Sequence, residues 1–394
     1  ADVYIINTCT VTNFGDKKSR QLIRKVKRQN ENAIVAVVGC YAQTAPEELA
    51  AVHGVNLVIG TKDKSKIVEL VEDYQAEQGV QNYVTDIMHE RVFEPLEIKK
   101  LANRTRAYLK IQDGCSQFCS YCIIPYARGP IRSRQPEDVI AEVKRLAENG
   151  FKEVVLTGIH VASYGKDLKT ITLTDIIRQV HEVEGIERIR FSSIEPNVVT
   201  EEFAAAMAEL PKVCDHFHLS LQSGCDKTLK EMNRKYDTEK YRQAAALLRK
   251  YLPDVAITTD IIVGFPGETE EDYQASRAFA EEIGFSKIHV FPYSPKKGTP
   301  AAARKDQLQN AVKQARSHDL ITVSDRMTDA FLQKHVGKVM PVLFERCVGD
   351  DVYEGHTTNY MKVHARSTKD LSNVIADTKI LSVAEEMAFG EVEA

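Results

Sequence analysis

Three cysteines stand close together in Cys115-Ser-Gln-Phe-Cys119-Ser-Tyr-Cys122, preceded by Gln112-Asp113-Gly114. Three thiolates in one tight loop can hold three irons of a [4Fe–4S] cluster and leave the fourth iron open. An open iron can bind the amino and carboxylate groups of S-adenosylmethionine (SAM). One electron from the cluster then cleaves the S–C5′ bond to give a 5′-deoxyadenosyl radical, hard chemistry that belongs to the cofactor. A structural zinc site is the alternative. Such sites pair two C-x₂-C units, or one unit with histidines at set spacing. No second pair lies near this loop, which favours the cluster. Tyr121 precedes the last cysteine, where its ring could stack on an adenine; packing over the cluster would use it equally well.

The chain has eight cysteines. Two more read as ligands. Cys9 follows Asn7-Thr8 and Cys40 follows Gly39, each just after an expected strand. Buried cysteine is usually inert filler, but neighbouring strand ends in a parallel sheet can bring two thiols together. Two cysteines do not hold a [4Fe–4S] cluster, so a third ligand is expected upstream. Val3 to Ile6, so close to Ala1, reads as the middle of a fold. Cys214, Cys225 and Cys347 have no partner spacing and read as packing residues. A disulfide framework is not expected in a cytosolic chain of this size.

Further candidates sit at strand ends. Gly264-Phe-Pro-Gly267 closes the apolar run Ile261-Ile262-Val263, and Gly158 closes Val154 to Thr157. Glycine there lets a backbone approach a ligand closely. Ser193, Glu195 and Gln222 also follow expected strands. Each is a candidate for SAM or substrate, or else a cap or turn former.

The elements that would position these residues come in two strand–helix series. In the first, short apolar runs at Val3–Ile6, Ile34–Val38 and Leu57–Gly60 alternate with helical patterns at Asp16–Gln29, Pro46–Val52 and Ser65–Tyr74. This predicts a parallel, doubly wound sheet. Residues 76–103 are polar and weakly periodic and read as a linker plus an extended connection. The second series predicts strands at Ala107–Ile111, Glu153–Thr157, Arg188–Ser193, His216–Leu221, Ala256–Val263 and Ser286–Phe291, with helices between them. Six strands with right-handed crossovers make a partial (βα)6 barrel or an open sheet. After a long charged helix, short β-type runs from Val339 to Ile380 predict a small β-barrel. The fold class is α/β, with domains at 1–95, 96–335 and 336–394.

At 394 residues, with 43% apolar and 27% charged residues, the composition is that of an ordinary globular protein. No run of about 18 apolar residues appears, and no signal peptide is visible, so a cytoplasmic location is expected. A net charge of −4 gives no overall support for a nucleic-acid partner; RNA would need local basic patches. Candidates are Arg128, Arg132 and Arg134 beside the cysteine loop, Lys296-Lys297, and Tyr360 and Lys362 in the terminal barrel.

Taken together, these residues resemble the radical-SAM methylthiotransferases over essentially the whole chain. The resemblance implies two [4Fe–4S] clusters. Cys115, Cys119 and Cys122 would hold the SAM cluster. Cys9 and Cys40 would be two of the three auxiliary-cluster ligands. It also implies a C-terminal TRAM domain that binds RNA. Among the branches, the chain is most similar to the one modifying N6-threonylcarbamoyladenosine next to the tRNA anticodon. The features are Asn7-Thr-Cys-Thr-Val-Thr-Asn13, Ile123-Ile-Pro-Tyr-Ala-Arg-Gly129, Leu156-Thr-Gly-Ile-His160 and Ser192-Ser-Ile-Glu-Pro196. One SAM would methylate a sulfur at the auxiliary cluster. A second would be cleaved, and the methylthio group inserted at C2 of the adenine. The expected partners are tRNA, a sulfur donor, and an electron donor such as flavodoxin or ferredoxin. Other branches act on isopentenyladenosine in tRNA or on a ribosomal-protein aspartate. A non-catalytic iron–sulfur RNA-binding protein is the remaining alternative.

Overall fold

The structure is a computed structural model that describes residues 1–74, 79–95 and 105–393. Packing groups the described residues into two units. One draws on 1–98, 112–133 and 294–305, the other on 99–111, 134–293 and 306–394.

The first unit is built on a four-stranded parallel sheet. Its strands are β1 (Val3–Thr8), β2 (Ile34–Gly39), β3 (Leu57–Ile59) and β4 (Gln81–Asn82), in that order. Helix α1 (Asn13–Gln29) follows β1. Thr12 caps it by accepting from the Gly15 amide, as hydroxyl residues do at helix starts. Short helices α2 (Cys40–Thr44) and α3 (Pro46–Ala50) follow β2, and α4 (Ile67–Glu72) follows β3. Apolar residues pack on both faces of the sheet. Ile6, Val35, Val37 and Val58 meet Ile23, Val26 and Leu49 on one side. Ala36, Val38, Leu57 and Ile59 meet Ile67 and Leu70 on the other. Covered faces explain why β2 reads as an unbroken apolar run rather than an alternating one. The linker expected over 76–103 is corrected in part. Gln81 and Asn82 pair with β3, while 76–78 and 96–103 fall outside the described residues.

Strand β5 (Arg106–Asp113) leads to the cysteine loop, helix α5 (Ile124–Arg128) and β6 (Arg132–Ser133). Strand–helix units then follow: α6 (Pro136–Glu148), β7 (Glu153–Gly158), α7 (Leu173–His181), β8 (Arg188–Phe191), α8 (Glu201–Ala208), β9 (His216–His218), α9 (Asp226–Glu231), α10 (Thr238–Tyr251), β10 (Ala256–Val263), α11 (Glu270–Ile283) and β11 (Lys287–Pro292). Strands β5, β7 and β8 are neighbours in one sheet, and β9, β10 and β11 in another. Parallel bridges Ile189↔Val213 and Ile194↔Leu219 join the β8 segment to that of β9. The six strands thus form the partial (βα)6 barrel. Side chains such as Leu109, Leu156, Phe191, Phe217, Ile261 and Ile288 pack outward on the helices as one core.

After α12 (Asn310–Gln333), five strands close a small barrel: β12 (Val339–Gly349), β13 (Val352–Thr357), β14 (Lys362–Arg366), β15 (Ile375–Ala384) and β16 (Met387–Val392), in the order β12-β13-β14-β16-β15. Its core includes Val342, Phe344, Val363, Ile380 and Ala388.

Candidate active site

The cysteine loop leaves the carboxyl end of β5. Its entry is held by Gln112, whose side-chain amide donates to the Asp113 and Gly114 carbonyls at 2.7 Å each. Gly114 has φ +76, and a Cβ there would lie 1.8 Å from the Pro130 carbonyl oxygen. Only glycine fits this close passage. The Cys115 amide donates to Gly129 O at 2.9 Å, and Cys122 N to Cys119 O at 3.0 Å. These bonds pin both ends of the loop. Cys119 is buried, and Cys115 and Cys122 are half-buried. Among the described residues, no group of three or more His, Cys, Asp or Glu side chains is gathered as a metal cage. The fit of a cluster therefore rests on the loop: three cysteines close together in sequence, on a short segment fixed at both ends.

Cys9 and Cys40 leave neighbouring strands at one level, because Thr8 and Gly39 are register partners. Gly39 has φ +101, and a Cβ there would lie 2.6 Å from Asn7 Oδ1 and 2.7 Å from Thr8 O. The chain can turn so sharply into α2 only with glycine. Cys9 is exposed and Cys40 buried.

Arg128 links Cys40 to the helix that follows the cysteine loop, within the first unit. It ends α5, six residues beyond Cys122. Its Nε donates to Cys40 Sγ at 3.1 Å, and its Nη1 to Asp113 Oδ2 at 3.4 Å. Arg132 lies 3.7 Å from the same carboxylate. Burial works against the Arg128 charge, but Asp113 and Cys40 outweigh it and hold the guanidinium above its ordinary pKa. A guanidinium N–H aimed at a sulfur complements the negative charge of a sulfur bound to iron. Cys40 therefore suits cluster ligation. No signal in the sequence links positions 40 and 128; the contact exists only once β2 and α5 are packed.

The strand-end candidates lie in the second unit. Gly158 ends β7, Ser193 follows β8, and Gly264 follows β10. Gln222 adopts φ +71 and bridges Ile261. The Gly264 amide donates to Glu268 Oε1 at 2.9 Å, and Gly267 N donates to Asp306 O at 3.0 Å. Glu195 is buried in an ion-pair cluster, 2.8 Å from Arg234 and 3.2 Å from His160. Burial alone would raise its pKa, but His160 and Arg234 draw it below the usual carboxylate value.

Several cations expected on the surface are not there. Arg132 pairs with Asp113, Arg134 is buried 3.2 Å from Glu142, and Lys296 is buried against Asp16. Arg128 is engaged at Cys40 as well, and of these candidates Lys297 stays exposed. Tyr360 stacks between His216 and His356, with ring centroids 4.9 Å from each, under the guanidinium of Arg190 at 4.6 Å. It seats the small barrel against the amino ends of the half-barrel strands. Lys362 stays exposed, 3.7 Å from Glu354.

One row of polar groups escaped the sequence reading. His218, Asp260 and His289 share the face of β9–β11 turned away from the helices. His218 lies 3.4 Å from Asp260 and its ring stacks on His289 at 5.8 Å. The signal was present: polar residues alternate with apolar ones along His216–Leu219 and Lys287–Val290, the period of a strand with one face uncovered.

A half-barrel with a three-cysteine loop after its first strand defines a radical-SAM protein. Residues 109–280 match the Radical SAM superfamily, and residues 1–60 match Uncharacterized protein family UPF0004. The chain is 45% identical to the threonylcarbamoyladenosine tRNA methylthiotransferase MtaB of Bacillus subtilis, covering 97% of this chain and 86% of that one. It is 38% identical to the tRNA-2-methylthio-N(6)-dimethylallyladenosine synthase of Thermoanaerobacter sp., over 100% and 85%. The solved radical SAM methyltransferase TsrM of Kitasatospora setae superposes with TM-score 0.57 at 17% identity, over 76% of this chain and 66% of that one, and shows the same fold. The chain belongs to the radical-SAM tRNA methylthiotransferase family. It is therefore a transferase, and membership implies a [4Fe–4S] cluster and SAM. Among the described residues, no helix is long and apolar enough to cross a membrane.

Proposed function

We propose that the chain inserts a methylthio group at C2 of N6-threonylcarbamoyladenosine next to the anticodon of tRNA. The observation that carries this reading is the Arg128–Cys40 contact, which joins the auxiliary thiols to the helix that follows the SAM-cluster loop. Similarity to the MtaB relatives, named for threonylcarbamoyladenosine, supports this choice of nucleoside.

In this reading Cys115, Cys119 and Cys122 hold the SAM cluster, and Cys9 and Cys40 are ligands of an auxiliary [4Fe–4S] cluster. Iron–sulfur clusters with SAM supply the one-electron chemistry that activates an unreactive C–H bond. The protein's own part is to bind, orient and shield. Gly114 lets the loop pass close to Pro130, and Arg128 directs its Nε–H at Cys40. Tyr121, Gly158, Ser193, Gln222, Gly264 and Gly267 are the proposed SAM contacts, and Glu195 orders the strand ends among them through His160 and Arg234. The division at 95/96 and 335/336 belongs to the same proposal, as do a TRAM role for the last domain, a cytoplasmic location, a sulfur donor, and flavodoxin or ferredoxin as reductant.

The relatives named for dimethylallyladenosine support a second reading, in which the N6 substituent is a prenyl group. A competition separates the two. Full-length, anaerobically reconstituted protein receives SAM, sulfide, reductant and an equal mixture of tRNAs bearing each nucleoside. Mass spectrometry of the digest is expected to show methylthio only on the threonylcarbamoyl nucleoside. Methylthio on the prenyl nucleoside alone would overturn the assignment.

A further inference from the structure

Helix α1 carries seven cationic side chains, Lys17, Lys18, Arg20, Arg24, Lys25, Lys27 and Arg28, and one carboxylate, Asp16. The whole chain has a net charge of −4, so the positive charge is concentrated against an acidic background. The single carboxylate faces inward, buried and paired with Lys296. Arg20 is paired with Glu48, and Lys27 donates to the Glu31 and Ala33 carbonyls. Lys17, Arg24, Lys25 and Arg28 are exposed and have no hydrogen-bond or ion-pair partner among the described residues.

Solubility alone does not call for this pattern. Like charges three and four residues apart repel on a helix, by about 0.2–0.5 kcal/mol a pair. Other helices of this chain interleave the signs: Arg242 of α10 pairs with Glu239, and Arg277 of α11 with Glu281. On α1 the exposed face has no acid at all. Lys17, Arg24 and Arg28 form one stripe, about 16 Å long at 1.5 Å per residue, with Lys18 and Lys25 beside it. An open groove of about 1250 Å³ runs along this face, lined by Lys18, Arg24, Lys25, Arg28 and His53 among others. In the first turn of α1 Phe14 is 63% exposed, with the ammonium of Lys18, which lines the groove, 4.6 Å from its ring centroid. Cations tracking a groove beside an exposed aromatic ring suit a polynucleotide backbone with a base stacked at one end.

We infer that the outer face of α1 is an RNA-docking surface, gripping the phosphodiester backbone through Lys17, Arg24, Lys25 and Arg28. The inference rests on tRNA being the substrate and assigns the contact to the first unit, where the arginines beside the cysteine loop are already engaged.

The test is the salt dependence of tRNA binding by the full-length holoenzyme. Each phosphate contact contributes about 0.7–0.9 to the slope of log Kd against log salt. Replacing Lys17, Arg24, Lys25 and Arg28 together with alanine is expected to lower that slope by about 3 and to weaken binding at least tenfold at low salt. Four alanines elsewhere, at the exposed Lys144, Lys230, Arg326 and Lys334, are expected to leave the slope as in the wild type. Circular dichroism and tRNA-independent SAM cleavage should be unchanged in both variants. An unchanged slope in the α1 variant overturns the inference, and so does an equal fall in both. Binding to anionic vesicles that is tighter than to tRNA and lost in the α1 variant would assign the face to a lipid surface and overturn it too. Wild-type protein that binds no tRNA would remove the substrate reading itself, and this inference with it.

Discussion

Arg128 shows how much one side chain can hide from sequence inspection. Beside the cysteine loop it reads as a phosphate ligand, yet folding spends its Nε on Cys40 and its Nη1 on Asp113. Hydrogen bonds to cluster sulfurs stabilise the more negative reduced state and raise its potential. Arg128→Gln should therefore shift the proposed auxiliary cluster to a more negative potential while leaving its iron content intact. An EPR-monitored redox titration of protein lacking Cys115, Cys119 and Cys122 would read this; an unmoved potential would show that the contact is only structural. Glu195 makes a pH prediction. Its pKa is depressed in the folded state, so its stabilising effect is fully present above the unfolded value, about 4.3. It is lost as pH falls through the lower folded value. Urea unfolding should find Glu195→Gln less stable than wild type at pH 7, with the gap closing as pH falls below about 4. A gap that is independent of pH would show that the carboxylate charge is not what stabilises the fold there.

Among the elements, legibility followed burial. A run covered on both faces, Ile34–Gly39, is visible as an apolar β-branched stretch, and its predicted limits lie within a residue of the observed ones. Strand β16 went unread because Gly390 interrupts its apolar pattern; a Cβ there would meet Thr378 Cγ2 at 2.6 Å, so the strands need glycine to approach. Strand β14 begins only at Lys362, since Tyr360 has φ +68 in the turn before it. The five-residue helices α2 and α5 are too short for a 3.6-residue period to show. Yet they carry Cys40 and Arg128. The thiol motifs were legible from spacing, whereas the contact between them depends on packing of segments 88 residues apart. The turn from β2 into α2 yields its own prediction. Gly39→Ala should cost about 1–3 kcal/mol, the range for a non-glycine residue forced into a sparsely populated conformation. It should also reduce iron bound by the Cys9/Cys40 site. Calorimetry and iron analysis check both; wild-type stability would mean that the turn accepts a side chain.

In the second unit, the small barrel is joined to the half-barrel by buried charge. Arg188 donates to the His356 and Pro341 carbonyls at 2.8 Å, and Arg190 to Thr358 O at 3.1 Å. Fully buried Glu153 lies 3.2 Å from Arg106 and 3.1 Å from Arg190. Removing one partner of a buried pair leaves uncompensated charge and costs about 3–5 kcal/mol. Glu153→Gln should accordingly destabilise the half-barrel and the C-terminal barrel together, lowering protease resistance near residues 336–338. Intact resistance with wild-type stability would show that Tyr360 and its flanking histidines suffice as the joint. For the molecule as a whole, the central claim is that two thiol sites divide the chemistry, and replacing Cys9 and Cys40 together with alanine tests it most directly. With tRNA, SAM, sulfide and reductant, the variant should still cleave SAM to 5′-deoxyadenosine yet form no methylthio nucleoside. Methylthiolation at the wild-type level would contradict the division and leave the Cys115, Cys119 and Cys122 loop as the sole seat of the reaction.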